Sequence, residues 1–223
     1  RWEGDSEPRF ILNLTKPLAR SVRLWVLVPH APGARFFEEM DGIRVIRFPY
    51  FFPVSQERLC YEGGILPKLK TSLFARAQLP FFLVAQLFHI WRTVRRHRIN
   101  FIHCHWIIPQ GVFCALLNRW LGIPYLLTAH GGDVFSFKSS PMILKLSQFA
   151  LKHSHLCVAN TQATRVAVED IYDRAVTRVI PMGVDTALFH PDRYDEALKS
   201  ELNIRGMFLL GVGRFAEKKG FKY

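Results

Sequence analysis

The chain has 223 residues, 49% of them hydrophobic, and its formal net charge of +12 corresponds to a sequence pI of about 9.9. This length is sufficient for a substantial core, and no apolar run reaches the roughly 18 residues typical of a membrane span. No basic start followed by an apolar core indicates a signal peptide. We therefore expect a globular protein. Because the chain lacks an initiating Met and ends abruptly, we also expect it to be a fragment.

The positive charge is unevenly distributed, because no Asp or Glu occurs between Glu62 and Asp133. A basic region of this kind favours an anionic partner, such as phosphate groups or an anionic membrane surface, although a solvated basic surface accounts for it equally well. Most aromatic residues fall in predicted core segments, so we expect no nucleic-acid partner. The basic residues of this interval are Lys68, Lys70, Arg76, Arg92, Arg95, Arg96, Arg98 and Arg119.

Four cysteines, Cys60, Cys104, Cys114 and Cys157, occur without a C-x-x-C pair. Cys104 and Cys157 lie in predicted buried strands, where a reduced cysteine behaves as a small hydrophobic residue. This usage predicts a reducing, cytoplasmic location. The basic region is compatible with a peripheral position on the inner face of the cytoplasmic membrane.

The first part of the chain predicts one helix and two strands before a long loop. Residues 7–19 have apolar positions at helical spacing, and residues 22–28 and 43–48 read as buried strands. A Pro-Gly-rich turn at 30–34 and the polar residues 38–42 lie between the strands. Residues 49–70 have no clear period and predict a loop, which at this length is usually functional.

A long helix is predicted over residues 73–98, with an interruption or restart at Pro80. Residues 81–91 are apolar nearly all round, which favours a core helix packed against a sheet. The alternative is a membrane-surface helix, and the two interpretations are compatible if the basic end faces a bilayer. That end carries Arg92, Arg95, Arg96 and Arg98.

From residue 100 onward, strand and helix patterns alternate, which is typical of a doubly wound parallel sheet. The runs 100–104 and 123–128 are apolar enough for strands inside such a sheet, and a helix over 111–121 connects them. Residues 186–205 are polar and predict a linker, and 207–212 predict the first strand of a second domain. Further helices are predicted at 142–151, 161–172 and near 194–202, and further strands at 155–159 and 178–181.

Polar and glycine residues follow the two central strands of this predicted sheet. Ligands of open parallel sheets lie beyond the carboxyl ends of the strands, so we expect the functional site there. The residues at this position are His103, His105, Trp106, His130, Gly131, Gly132 and Asp133.

His103 and His105 lie two residues apart on a strand and therefore point to the same face. With His130 and Asp133 they could chelate a metal. The H-x-H pattern is a weak signal, however, and no other ligands follow at a diagnostic spacing. A structural role for one histidine of the pair is therefore favoured.

Two later strand ends have a similar composition. Gly183 and Asp185 follow the strand at 178–181, and Gly213-Arg214 follow the strand at 207–212, with Lys219 five residues beyond Arg214. An arginine and a lysine beside glycine backbone suit a diphosphate.

Four motifs occur in order: IHCHWIIPQG, YLLTAHGGD, VIPMGVDTALFHP and LLGVGRFAEKKG. Together with PRFILNLTKPLA, VLVPHAPGA and the segment from DGIRVIRFPYFFP to YEGGI, they resemble glycosyltransferase family 4, whose members have the GT-B fold. The resemblance implies an α/β fold with a Rossmann-like parallel sheet flanked by helices, facing a second Rossmann-like domain that is truncated here. It implies an acceptor-side domain over 1–185, a linker over 186–205 and the start of a donor-binding domain over 206–223.

The resemblance also implies an activity. Family members transfer a sugar with retention of configuration from a nucleotide-diphosphate sugar, here UDP- or GDP-linked, usually without a metal or other cofactor. The acceptor would be a glycan or a lipid-linked molecule.

Several residues match the family's functional positions. His130 matches the cleft histidine, which is the catalytic candidate, and Arg214 and Lys219 match the basic pair that holds the donor diphosphate. No metal ligand is implied. Acceptor or cleft-lining positions fall on His105, Trp106, Gly131, Gly132, Asp133 and Gly183.

Two departures from the family pattern affect activity. Only Trp2-Glu3-Gly4-Asp5 corresponds to the usual opening strand and Gly-rich loop, and the paired glutamates of the donor site lie beyond residue 223. We therefore expect the 223-residue chain to be inactive alone. Two alternatives remain: a metal-dependent hydrolase using His103, His105 and His130, or a non-catalytic sugar-binding domain on a membrane surface.

Overall fold

The chain folds into two compact units, Arg1–Met182 and Gly183–Tyr223. This computed structural model describes residues 10–61, 64–135, 140–193, 195–213 and 220–221. The larger unit contains two sheets, and the smaller one contains short helical segments. The assignment of an acceptor domain, a linker and a donor domain stays a prediction.

The first sheet has three strands and follows a short helix, α1 (Phe10–Leu18). Strand β1 (Trp25–Pro29) pairs in parallel with β3 (Ile43–Phe48), so both predicted strands are confirmed. The polar segment between them contains a strand that was not predicted, β2 (Phe37–Met40), which pairs antiparallel with β3. Its alternate residues are exposed and it contains two glutamates, which explains why its composition did not indicate a strand.

The segment after β3 is more ordered than a loop. It contains a 3₁₀ turn at Val54–Gln56 and helix α2 (Ile65–Thr71). The predicted long helix is α3 (Leu73–His97). Ser72 caps its amino end, because the Ser72 hydroxyl accepts a hydrogen bond from the Ala75 amide at 3.2 Å. The helix continues through Pro80, so the interruption predicted there does not occur. Proline removes one backbone hydrogen bond, and the packed helix tolerates that loss.

The second sheet has four parallel strands in the order β4-β5-β6-β7, with helices in the crossovers. This arrangement confirms the predicted Rossmann-like parallel sheet flanked by helices. The strands are β4 (Ile102–His105), β5 (Tyr125–Ala129), β6 (Leu156–Ala159) and β7 (Thr177–Val179). The helices are α4 (Val112–Leu121), α5 (Gly132–Phe135), α6 (Pro141–His153) and α7 (Gln162–Ile171).

Each sheet is packed in its own cluster of buried side chains. The first cluster joins Phe48 of β3 to Phe82 of α3, and it includes Cys60. The second surrounds β5 and β6 and contains the other three cysteines, Cys104, Cys114 and Cys157. All four cysteines are buried and none forms a disulfide. They pack as small hydrophobic side chains, as expected of reduced cysteines.

The smaller unit contains a 3₁₀ turn at Pro191–Arg193 and helix α8 (Glu196–Glu201), which confirms the helix predicted near residues 194–202. The strand predicted at 207–212 is not formed. A strand needs a neighbouring strand to satisfy its backbone, and the described part of this unit contains none.

Gly111 gives a direct test of packing beneath the second sheet. Its φ of −60° is open to any residue, but an added Cβ would lie 2.7 Å from Leu127 Cδ1 and 3.2 Å from Ala150 Cβ. We expect Gly111→Ala to lower the free energy of unfolding by about 2 kcal/mol, through overpacking. Urea denaturation measures it, with Gly132→Ala as control, because a Cβ at Gly132 has nothing within 4 Å. Equal stability of the two variants would contradict this packing.

Candidate functional site

The site begins where β4 and β5 end side by side. These strands pair in parallel with His105 opposite Thr128, so the residues after them meet at one edge of the sheet. There His105 Nδ1 lies 3.0 Å from His130 Nε2, and the two rings stack with centroids 5.2 Å apart. One ring donates its N–H and the other accepts it, so the contact requires an accepting, unprotonated nitrogen on one of them.

Asp133 fixes the backbone around this histidine pair. Its Oδ1 accepts a hydrogen bond from the His130 amide at 3.0 Å, and its Oδ2 accepts one from the Ile107 amide at 2.9 Å. The carboxyl group is buried, and burial raises its pKa, against the lowering effect of those amides. Asp133 therefore joins the loop after β5 to the turn after β4, and its role is positional.

Trp106 occupies the turn between β4 and the helical segment Ile107–Gly111. Its φ is +76°, a left-handed conformation that a bulky residue rarely adopts and that costs about 1–3 kcal/mol. The Trp106 amide donates to the Thr128 carbonyl at 2.9 Å, and the Trp106 carbonyl accepts from the Gly111 amide at 3.2 Å. These bonds hold a half-exposed indole at the sheet edge, beside His105.

The two glycines after His130 differ in what they require. Gly131 has a φ of +81°, and an added Cβ would contact Thr164 Oγ1 at 3.5 Å, so its backbone conformation favours glycine. Gly132 begins α5 and has open space around its Cβ position. Open space at that position leaves room for a ligand close to the backbone.

His103 is held on the same sheet but in a different contact. Its Nε2 lies 2.8 Å from Thr128 Oγ1, and its ring centroid is 4.4 Å from that of His105. Within the ranges that the structure describes, no group of three or more His, Cys, Asp or Glu side chains is placed to hold a metal ion. The three-histidine site of the hydrolase alternative is therefore not formed, and the structural interpretation of His103 is favoured.

Phe10 completes the cluster and was missed by sequence reasoning. Its ring lies edge-on to His130, with centroids 5.5 Å apart, and 6.3 Å from the His105 ring. Phe10 belongs to α1 and precedes His105 by more than ninety residues. An apolar residue in a short amphipathic helix does not indicate which distant side chain it will contact.

Burial keeps the three histidines neutral. Desolvation lowers the pKa of His103, His105 and His130, and for His105 the neighbouring rings add to the effect and bring the pKa to about 3. The site therefore offers unprotonated imidazoles at neutral pH, which suits hydrogen bonding to hydroxyl groups and gives no fixed positive charge.

This shift predicts a pH dependence of stability. The pKa of His105 is lower in the folded chain than the 6.5 expected when unfolded, so the unfolded state binds more protons between about pH 3 and 6.5. Stability is therefore lost as the pH falls through that window. We expect His105→Gln to reduce the loss of unfolding free energy between pH 7 and pH 5 by about 2 kcal/mol, measured by urea denaturation. The same loss in both proteins would contradict a neutral, buried His105.

The structure thus brings together His105, Trp106, His130, Gly131, Gly132 and Asp133, as predicted from the sheet edge. Gly183 lies in the smaller unit, exposed and with no atoms near its Cβ position. Arg214 and Lys219, predicted to bind the diphosphate, lie outside the described residues.

A parallel α/β sheet with a polar cluster at the carboxyl ends of its strands defines a Rossmann-like domain, and its fold is that of GT-B structures. The sequence pattern of Glycosyltransferase Family 4 matches residues 8–188. The chain therefore belongs to glycosyltransferase family 4, and the resemblance found in its motifs is confirmed.

Known proteins support the same assignment. An uncharacterized glycosyltransferase of Methanocaldococcus jannaschii is 33% identical over 124 residues, which is 55% of this chain and 31% of that protein. The chain thus spans about a third of this curated relative. Sucrose-phosphate synthase of Thermosynechococcus elongatus has a similar fold, with a TM-score of 0.53, 16% identity and coverage of 86% of this chain and 91% of that one. HepE of Anabaena, solved in complex with UDP, also has a similar fold. Its TM-score is 0.55 and its sequence identity 19%, with coverage of 91% of this chain and 48% of that one.

Proposed function

We propose that this chain provides the acceptor-side domain of a retaining glycosyltransferase. The enzyme transfers a hexose-like sugar from a UDP- or GDP-linked donor to a glycan or lipid-linked acceptor, without a bound metal or cofactor. The observation that carries the proposal is the His105–His130 pair at the carboxyl edge of the second sheet, in a chain of glycosyltransferase family 4. The UDP complex of the structural neighbour HepE supports a nucleotide-linked donor.

His130 is the proposed catalytic residue. Asp133 fixes its backbone and His105 contacts its Nε2, so the ring has a defined orientation. Burial lowers the pKa of the His130 imidazole, against the raising effect of the Asp133 carboxylate. A neutral imidazole in this position forms hydrogen bonds with hydroxyl groups of the transferred sugar without attracting the diphosphate. His105, Trp106, Gly131, Gly132 and Asp133 are proposed as acceptor-binding or cleft-lining residues, and Gly183 is proposed as one on the strength of the family motif.

Arg214 and Lys219 are the proposed diphosphate ligands. Two fixed cations would stabilise the negative charge that develops on the leaving nucleotide, which is the role that a metal ion has in other transferases. This assignment rests on the GVGRFAEKKG motif. Since the donor-side residues beyond this motif contribute the remaining contacts, we propose that the 223-residue chain alone does not transfer sugar.

The four unpaired cysteines support a cytoplasmic location.

The test is a transfer and donor-hydrolysis assay of the full natural protein with a panel of UDP- and GDP-sugars, with and without EDTA. We expect activity that EDTA does not reduce and that falls strongly in Arg214→Ala. The control is Arg174→Ala, an exposed arginine in the loop before β7. Activity lost in EDTA and restored by a divalent cation would contradict the metal-free mechanism. The absence of transfer with every donor would favour a non-catalytic sugar-binding domain.

A further inference from the structure

Helix α3 exposes a continuous apolar face. Six of its large apolar side chains, Phe74 among them, are between 42% and 78% exposed, although helices of this composition normally bury such residues. The other five recur at intervals of three, four or eight residues, so they form one stripe along the helix. These residues are Leu73, Phe81, Val84, Phe88 and Trp91, and they define the α3 outer face. The helix predicted to pack against a sheet therefore does so with only one of its faces.

The opposite face of α3 is fixed to the globular unit. Phe82 is 1% exposed and packs in the cluster with Phe48. Gln78 is fully buried, its Oε1 accepts from the Arg58 amide at 3.0 Å, and its Nε2 donates to the Gln56 carbonyl at 2.7 Å. By length and composition alone, α3 is the one helix among the described residues that could cross a membrane. Its packed, hydrogen-bonded inner face requires it to stay on the protein, with only the outer face available.

Charge distinguishes the possible occupants of this face. No acidic residue occurs between Glu62 and Asp133, and α3 itself contains none. At its carboxyl end the exposed arginines Arg92, Arg95 and Arg96 follow Trp91 directly or within five residues. At its amino end Lys70 and Arg76 are exposed as well. The apolar stripe thus has cationic residues at both ends.

We propose that the α3 outer face docks on an anionic lipid bilayer, with the helix lying along the membrane surface. The stripe from Leu73 to Trp91 extends over 18 helical rises, or about 27 Å, and its side chains enter the interfacial layer. The arginines at its end contact acidic headgroups, while their alkyl stems extend the apolar contact. This inference concerns lipid binding and holds whether or not the protein transfers sugar.

Vesicle co-sedimentation of the full natural protein tests this proposal, without donor or acceptor. The vesicles contain phosphatidylcholine alone or with one third phosphatidylglycerol, at low and at high salt. We expect binding to the anionic vesicles that weakens at high salt, and much weaker binding to neutral ones. Equal binding to both vesicle types, or none to either, would overturn the proposal.

Two variants locate the surface. Val84→Asp places a charge in the centre of the stripe, and we expect it to weaken anionic-vesicle binding about tenfold. The matched control is Val166→Asp, at an exposed valine on α7. The double variant Arg95→Gln/Arg96→Gln removes two charges and is expected to weaken binding by about 25-fold. Its control is Lys145→Gln/Lys152→Gln, two exposed lysines on α6.

Binding unchanged by Val84→Asp would place the membrane contact elsewhere and overturn the inference. Sedimentation velocity in the absence of lipid examines the competing occupant. A dimer that dissociates in Val84→Asp would assign the α3 outer face to a second copy of the chain and would also overturn it. Circular dichroism and thermal melting confirm that each variant is folded.

Discussion

Replacing His130 with alanine is expected to lower the kcat of sugar transfer by about 10²–10³-fold, with a smaller change in KM for the donor. The side chain is proposed to contact the transferred sugar, and its neutral, oriented ring is most useful as charge develops in the transition state. Because Asp133 binds the His130 backbone amide, the loop keeps its anchor when the ring is removed. Steady-state kinetics of the full natural protein measure the effect.

The matched control is His155→Ala, which removes an exposed histidine near the opposite end of the second sheet. It should leave kcat within about twofold of the wild type. A His130→Ala enzyme with unchanged kcat and intact thermal stability would contradict a catalytic role for His130. If His105→Ala raised KM and left kcat unchanged, the contact between His105 and His130 would contribute to substrate binding and not to the chemical step.

Replacing Glu57 with alanine is expected to lower the free energy of unfolding by about 3 kcal/mol, and Tm by about 6–12 °C. Glu57 is buried; its Oε2 lies 2.5 Å from His30 Nδ1, and its Oε1 accepts from the Tyr50 amide at 2.7 Å. The substitution leaves both donors inside the protein without this acceptor. Each such loss costs about 1–3 kcal/mol.

Glu39→Ala is the matched control for Glu57→Ala. Glu39 is exposed on β2 and lies 3.9 Å from Arg44, so its removal should change the unfolding free energy by less than about 1 kcal/mol. Urea denaturation at pH 7 compares the two. A Glu57→Ala protein as stable as Glu39→Ala would mean that the loop around Tyr50 does not depend on the buried carboxylate.

The sequence was sufficient where periodicity and burial agree. Strand β3 lies at the predicted residues 43–48, where the apolar side chains of Ile43, Val45 and Phe48 are buried. The meeting of His105 and His130 followed from the rule that parallel strands share their carboxyl edge. The position of Asp133 between two backbone amides was not predicted, because that contact depends on the path of two loops.

Other features depend on contacts that sequence reasoning does not reveal. Strand β2 is stabilised by pairing with β3 in spite of two glutamates, and its Glu38 contacts the buried Arg47 at 2.6 Å. Phe10 reaches the histidine pair from a distant helix. The outer face of α3 is apolar without being buried, because hydrophobicity alone does not distinguish the packed face of a helix from an exposed one.

The four buried cysteines provide internal reporters of how the protein opens. Burial raises the pKa of Cys60 and Cys157 to about 12, so neither thiol forms a reactive thiolate while the fold is closed. Cys60 lies in the cluster of the first sheet and Cys157 in that of the second. The alkylation rate of each thiol, followed by mass spectrometry, therefore measures separately how often each half of the larger unit unfolds.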